Sequence, residues 1–588
     1  MDNIILFTYV ALFLATYLTY KHVILPSKHK NMLPPSPFLS FPIIGHLYLF
    51  KKPLHRSLAR VAARHGPILY LRFGSRSVVL LSSPSIVEEC LVLNNVFMNR
   101  PRLLPGKYNG NNFTSIAWAP YGAHWKNLRR IAAAEILSPQ RLQILSKVRA
   151  NVARSFVRRM MKLQSSSENG VVEMKSVIFG LTLDNMMKMV IGKSNYDEGC
   201  DEGTEFCTRF EELVGQSFSR SGVSNLEDFL PFLKWFRVLL GSNEEILKKT
   251  KEEKDEIMKA LLKEHRDMEK EGRLSEDRKK SMLHVLLSLQ KEDPHYYTDE
   301  LIRYLILALF QGGTDTSSTT LTWAMSLLLN NPEILTKARD EIDINVSHER
   351  FVEESDKKNL PYIQCIVNET LRMYPTGPLG LPRESINDCQ VQEYHIPKGS
   401  MLVYNIWAIH NDPKNWEEPR KFKPERFLGV EGNRLGYKFL PFGTGRRVCP
   451  GEHLAGKVVW LAMAILIQCF EWERVGEELV DMKEAGGVSL TKLEPLQIWP
   501  HGFKVLGSDT TRGTLGGEVS LTILIHFKEF NLQTWVVIPV QVGAKENKLL
   551  GYKFIPFGIG KRLAQWRRGA LAGRVVRLAG AINAFERK

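Results

Sequence analysis

The stretch 441–451, PFGTGRRVCPG, constrains this chain more than any other part of it. Glycines at 443, 445 and 451 permit tight backbone conformations, and Pro450 fixes the chain directly after Cys449. Such a loop suits a thiolate that ligates iron, because backbone N–H groups must point at the sulfur to stabilise its charge and tune its donor strength. The segment that follows, 453–470, is apolar with a helical pattern, so Cys449 is predicted at a helix amino terminus, where negative charge is favoured. The other six cysteines (90, 200, 207, 365, 389 and 469) show no CxxC spacing and read as reduced thiols rather than a disulfide scaffold.

Other segments call for partners of this loop. Glu369-Thr370-Leu371-Arg372 sets a carboxylate and a guanidinium three apart on a predicted helix, hence on one face. Pro424-Glu425-Arg426-Phe427 offers Arg426 as a further cation. The apolar, helix-like stretch 299–329 carries Gly312-Gly313-Thr314-Asp315-Thr316-Ser317 in its middle, and two glycines with a run of hydroxyls should weaken a helix there. A local opening of that helix is therefore expected.

Taken together, these segments resemble the cytochrome P450 family. Its signature FxxGxRxCxG is met by Phe442, Gly445, Arg447, Cys449 and Gly451, its ExxR pair by Glu369 and Arg372, and its WxxxR pattern by Trp125 and Arg129. The resemblance implies a mainly α fold with small β-sheets, one large catalytic domain, and haem b held by Cys449 as axial ligand within the Phe442–Gly451 frame. It gives Trp125, Arg129 and Arg383 (in LPRES) to the haem propionates, with the Arg447 cation nearby, and it makes Glu369, Arg372 and Arg426 a structural lock on the thiolate side. It makes 312–317 the oxygen-activation motif, with Asp315 and Thr316 delivering protons. That motif is intact, which favours monooxygenation over the isomerase or dehydratase chemistry also found on this fold. NADPH-cytochrome P450 reductase is the implied electron donor, docking near Arg446 and Arg447. The segments 97–130 and 297–326 look like those of plant microsomal isoflavone hydroxylases, which suggests a phenolic substrate lined by 101–119 and by Gln311.

The front of the chain reads as an anchor. Residues 4–20 (IILFTYVALFLATYLTY) are uncharged, near the short end for a membrane span, and Lys21, Lys28 and Lys30 follow with two histidines. That charge asymmetry predicts a single-pass signal anchor in the endoplasmic reticulum membrane with the catalytic domain in the cytosol. Three regions follow: 1–31 as anchor and basic stop, 32–506 as the catalytic domain, and 507–588.

The last region stands apart. Its 13 Lys/Arg against 5 Asp/Glu supply half of the net charge of +16, and no basic-aromatic motif recurs in the body, so nucleic acid is not an expected partner. Residues 551–562 (GYKFIPFGIGKR) repeat 436–447 with 9 of 12 identities, and 571–582 repeat 454–465 equally well. Ala564 stands where Cys449 stands in the first copy, so this copy has no thiolate to give a metal. It reads as a degenerate fragment joined from a duplicated neighbour and is expected to pack poorly. A true basic extension that touches anionic lipid, or one that leaves a haem-binding protein catalytically impaired, is the rival reading.

Overall fold

The computed structural model describes residues 9, 32–37, 39–166, 170–194, 213, 225–236, 243–346, 350–430 and 432–503, and the backbone of 519–526 and 535–542. The predicted anchor, apart from residue 9, and both repeat segments at 551–582 lie outside the described residues. The chain divides into two compact units, Met1–Gly507 and Ser508–Lys588.

The first unit is mainly helical with small sheets, as expected. Its longer helices are α1 (Leu54–His65), α2 (Ala123–Ile131), α3 (Ser146–Ser166), α4 (Met174–Ile191), α5 (Asn243–Lys270), α6 (Met282–Glu292), α7 (Asp299–Asn330), α8 (Pro332–Val346), α9 (Pro361–Met373) and α10 (Glu452–Cys469). The predicted strands appear as β1 (Ile68–Phe73) and β2 (Arg76–Leu81), an antiparallel pair. β2 runs parallel to β4 (Met401–Tyr404), and β3 (Arg383–Glu384) completes that sheet in the order β1-β2-β4-β3. Leu69, Leu71, Val78 and Leu80 are buried among the residues of one apolar cluster, whereas Val79 and Leu81 belong to another, as alternation on a sheet covered on both faces requires.

α7 is the axis of the unit. The Thr298 hydroxyl accepts the Leu301 N–H at 3.2 Å to cap its start, and Pro332 follows its end. α4 packs along it, and α9 and α10 cross it. The largest core cluster gathers Trp323 of α7, Leu371 of α9 and Trp460 of α10, and Trp323 stacks on Tyr374 with ring centroids 3.9 Å apart. Residues 454–469 of α10 are apolar almost throughout because the helix is enclosed on nearly every side; among the described residues it alone has the length and hydropathy to cross a membrane, and 72% of its apolar window is buried as core.

The second unit shows a two-stranded antiparallel pair, β5 (Val519–His526) with β6 (Trp535–Val542), in the register Val519↔Val542 to His526↔Trp535. Its β-branched runs VSLTILIH and WVVIPVQV favour strands.

Candidate functional site

The cysteine loop is built as its glycines suggest. Gly443 and Gly445 adopt φ of 74° and 68°, in the left-handed region. A Cβ on Gly445 would lie 2.1 Å from the Leu91 carbonyl oxygen, so only glycine fits this close approach. Cys449 N–H donates to the Phe442 carbonyl at 3.0 Å, and the Gly451 N–H is directed at the sulfur just before α10 begins. Cys449 is exposed by surface area, yet surrounding protein desolvates its thiol and pushes the pKa up; the Gly451 N–H and Arg129 act in the opposite sense. The sulfur therefore faces a recess in the protein, with donors arranged for an anion.

Around the loop lies a cluster of buried arginines. Arg129 on α2 donates to the Val448 carbonyl at 2.8 Å, and Arg383 on β3 donates to the Thr444 carbonyl at 2.6 Å. Arg447 donates to the Met98 and Ala119 carbonyls at 2.5 and 2.7 Å, and its guanidinium lies 4.5 Å from the Trp125 ring centroid. Arg100, which the sequence reading did not single out, joins them, donating to the Ala117, Leu381 and Pro382 carbonyls. Its only sequence signal is its place in FMNRPR, beside the expected pocket segment.

Charge within this cluster is unbalanced. Burial, then Arg383 and Arg129, pull Arg447 down to about 9, while burial, then Arg447 and Arg383, pull Arg100 well below its ordinary value. Arginine does not give up its proton in proteins, so these directions register a missing counter-anion. Two buried donors, Arg383 Nε and Arg447 Nη1, have no hydrogen-bond partner. Trp125 donates its single N–H to the Ile116 carbonyl at 3.1 Å and presents its ring face to Arg447.

Glu369, Arg372 and Arg426 come together behind the loop. Arg372 pairs with Glu369 through Nε–Oε2 at 2.7 Å and Nη2–Oε1 at 2.9 Å, and Arg426 Nε donates to Oε1 at 3.1 Å. Glu369 and Arg372 have no exposed side-chain surface. Arg372 also donates to the His410 carbonyl, and the His410 ring accepts the Leu440 N–H at 2.8 Å. The Gly443 N–H in turn donates to the Leu440 carbonyl at 3.0 Å. His410 thus ties the ion group to the cysteine loop, and burial, then Arg372, push its pKa down to about 3, keeping it neutral. As a lone histidine outside any predicted motif it gave no signal in the sequence.

α7 corrects one expectation. The helix runs unbroken through 312–317, and the Thr316 hydroxyl donates to the Gly312 carbonyl one turn back at 2.6 Å. The glycines serve packing instead of a break. A Cβ on Gly313 would meet Met186 Sδ at 2.5 Å, so this glycine lets α4 approach α7, whereas Gly312 borders open space. Asp315 accepts a hydrogen bond from Ser489 at 2.9 Å, and burial raises its pKa against that bond and Lys175. Gln311 Nε2 and Thr314 Oγ1 are buried without a hydrogen-bond partner. Among the described residues no hydrogen bond joins Asp315 or Thr316 to the Cys449 loop. A polar recess of about 440 Å³ lined by Arg76, Arg102, Glu227, Asp228 and Lys398 contains none of these residues.

The cytochrome P450 family model matches residues 34–498. The chain belongs to the cytochrome P450 family. Among its relatives, cytochrome P450 81Q32 of Catharanthus roseus is 44% identical over 80% of this chain and 92% of its own. The (+)-piperitol/(+)-sesamin synthase of Sesamum radiatum is 42% identical over 84% and 96%, and the isoflavone 2'-hydroxylase of Glycyrrhiza echinata 39% identical over 84% and 97%. The likeness to isoflavone hydroxylases seen in the sequence is thereby borne out. A zebrafish cytochrome P450 solved with progesterone superposes with a TM-score of 0.65 at 24% identity, covering 77% of this chain and all of that one, which bears on the fold.

As a P450, the chain is a monooxygenase whose cofactor is haem b. The residues present fit that group. A haem brings two carboxylates and an iron that accepts a thiolate; the arginine cluster lacks anions and has unpartnered N–H groups, and Cys449 lies in a recess with a backbone donor on its sulfur.

Proposed function

We propose that this P450 hydroxylates a small planar phenolic or isoflavonoid-like plant metabolite, using dioxygen and electrons passed from NADPH through NADPH-cytochrome P450 reductase. The observation that carries the site assignment is the conjunction of a donor-cradled Cys449 with a buried arginine cluster short of counter-charge. The substrate class rests on the names of the relatives, two of which are isoflavone 2'-hydroxylases.

Bound haem supplies the redox centre at which dioxygen is reduced and one oxygen atom is inserted into substrate. The protein's own residues do the rest. Cys449 would give its sulfur to the iron as thiolate, the Gly451 N–H and the amino end of α10 opposing the burial that favours the neutral thiol. Arg129, Arg383 and Arg447 would hold the carboxylates of that group, with the Trp125 ring against Arg447. Thr316 Oγ1, satisfied by the Gly312 carbonyl at rest, can turn its hydroxyl toward the open space beside Gly312 to donate a proton there. Asp315 restores that proton from the solvent side, where Lys175 is exposed. An intact Asp315–Thr316 pair favours this reaction over rearrangement or dehydration, which consume no delivered protons.

The proposal places the enzyme on the cytosolic face of the endoplasmic reticulum, anchored by 1–31. Exposed Phe41, Ile43, Ile44 and Leu226 support a membrane-facing surface, since residues 41–45 and 226–229 both flank the turn at Gly74 and Ser75. Residues 507–588 take no part in the chemistry.

A reduced, carbon monoxide-treated spectrum of microsomes holding the full chain should show the red-shifted Soret band of thiolate ligation; its absence removes Cys449 as ligand. Turnover of isoflavones with NADPH and reductase then tests the substrate class, and rearranged product formed without NADPH would favour the isomerase reading.

A further inference from the structure

We propose that Ser489 is a positioning residue of the proton relay, holding the Asp315 carboxyl in its delivery orientation through a bond that persists whether or not that carboxyl is protonated. The inference rests on the monooxygenase reading above and adds to it a residue outside every motif found in the sequence.

Ser489 Oγ donates to Asp315 Oδ2 at 2.9 Å, and Ser489 is only 7% exposed. Its position is not left to a free loop. The next residue, Leu490, is clamped from both sides: its N–H donates to the Thr376 carbonyl at 2.9 Å, and its carbonyl accepts the Trp323 indole N–H at 2.6 Å. Trp323 belongs to α7, the helix that carries Asp315, and is itself fixed against Tyr374. Helix and loop are thus pinned to each other one residue from the contact on the loop side and about two turns along α7 from Asp315, which restrains the hydroxyl against the carboxyl.

A hydroxyl suits this place because it can both donate and accept. Facing a carboxylate it donates, as here; facing a carboxylic acid it can rotate and accept. The carboxyl then loses and regains a proton without losing its partner, which a buried group cannot otherwise do cheaply. The charged groups around Asp315 are few. From α4 the exposed Lys175 acts on it. From the Ser489 loop, Glu484 is engaged by His55 and Arg56, and Lys492 by the Asp481 carbonyl and the Trp323 ring. From the end of α9 the polar neighbour is Thr376, which bonds Thr320.

The test uses the full-length haem-loaded enzyme and its S489A and S489T variants. The protonated-carboxyl stretch of Asp315, assigned by its loss in D315N, is followed by infrared spectroscopy across pH in the resting enzyme. S489A should move its midpoint up by about one pH unit, the amount by which a hydrogen bond to a charged carboxylate exceeds one to a neutral acid, and S489T should return it. In turnover, S489A should lower the share of NADPH electrons recovered in hydroxylated product several-fold, the remainder appearing as peroxide, with S489T again restoring coupling. An unchanged midpoint in S489A overturns the proposal, as does a threonine variant that folds but restores neither readout. Should S489A fail to fold, S489C, which keeps the shape with a weak donor, is read against the same midpoint. Because the infrared midpoint needs no turnover, it can fail while the thiolate Soret band stands, and the reverse.

Discussion

Two groups of buried arginines flank the cysteine loop, and they are built on opposite principles. Arg372 is bonded to both Glu369 oxygens and to the His410 and Pro419 carbonyls, with Arg426 and the Lys423 N–H completing the carboxylate's partners. Arg100, Arg383 and Arg447 meet backbone carbonyls and one another, and two of their donors remain unpartnered. The first group is complete within the protein and sets its shape. The second is left short of an anion. The comparison teaches that burial of an ion pair and burial of a cation carry different information: one marks scaffold, the other marks a ligand.

The largest effect should come from breaking the complete group. E369A leaves Arg372 buried without its anion, which typically costs about 3–5 kcal/mol; the variant should accumulate as unfolded or haem-free protein, read by the missing thiolate band and by lowered resistance to denaturant. Breaking the incomplete group should look different. R383M removes one cation from a repelling set, so the stability of the haem-free protein should change by no more than about 1 kcal/mol, near the worth of the lost Thr444 bond. Haem affinity, measured by transfer to a haem acceptor, should fall about 10–100-fold, one charge-assisted bond's worth. Equal losses in both assays would erase the distinction.

pH sharpens the same contrast from the scaffold side. His410 is buried neutral with its pKa pushed from 6.5 to about 3. The unfolded chain therefore takes up a proton first, so the contribution is whole above pH 6.5 and is lost as pH falls from there toward 3. His265, lowered to about 4 by burial and His284, acts in the same window. Denaturant titrations at pH 7 and pH 5 should show a shallower loss in H410Q than in the parent, by up to about one proton's slope. A more local contrast concerns the glycines of α7. G313A should cost roughly 1–3 kcal/mol by driving a methyl into Met186, while G312A should fold normally, read by melting temperature.

Much of this was legible in the sequence, for a physical reason. The cysteine loop, the Glu369–Arg372 pair and strands β1 and β2 are written in local terms: glycine positions, helical spacing, alternation. Cys449, Arg447 and Arg129 come together where those patterns lead. The helix break at 312–317 was misjudged because propensity was taken over packing: Gly313 answers to Met186, a residue 127 positions away in sequence. The partner of the Trp125 N–H, the Ile116 carbonyl, is a backbone atom that leaves no mark in a motif. Arg100, His410 and Ser489 are single residues whose meaning comes wholly from distant partners.

The chain of bonds from Arg372 through the His410 carbonyl and ring to Leu440 and Gly443 has a consequence for assembly. It orders the sulfur loop as part of folding, before any prosthetic group arrives. The entropy of arranging that loop is then charged to the nascent polypeptide and not to cofactor capture, so the two events are separable in time.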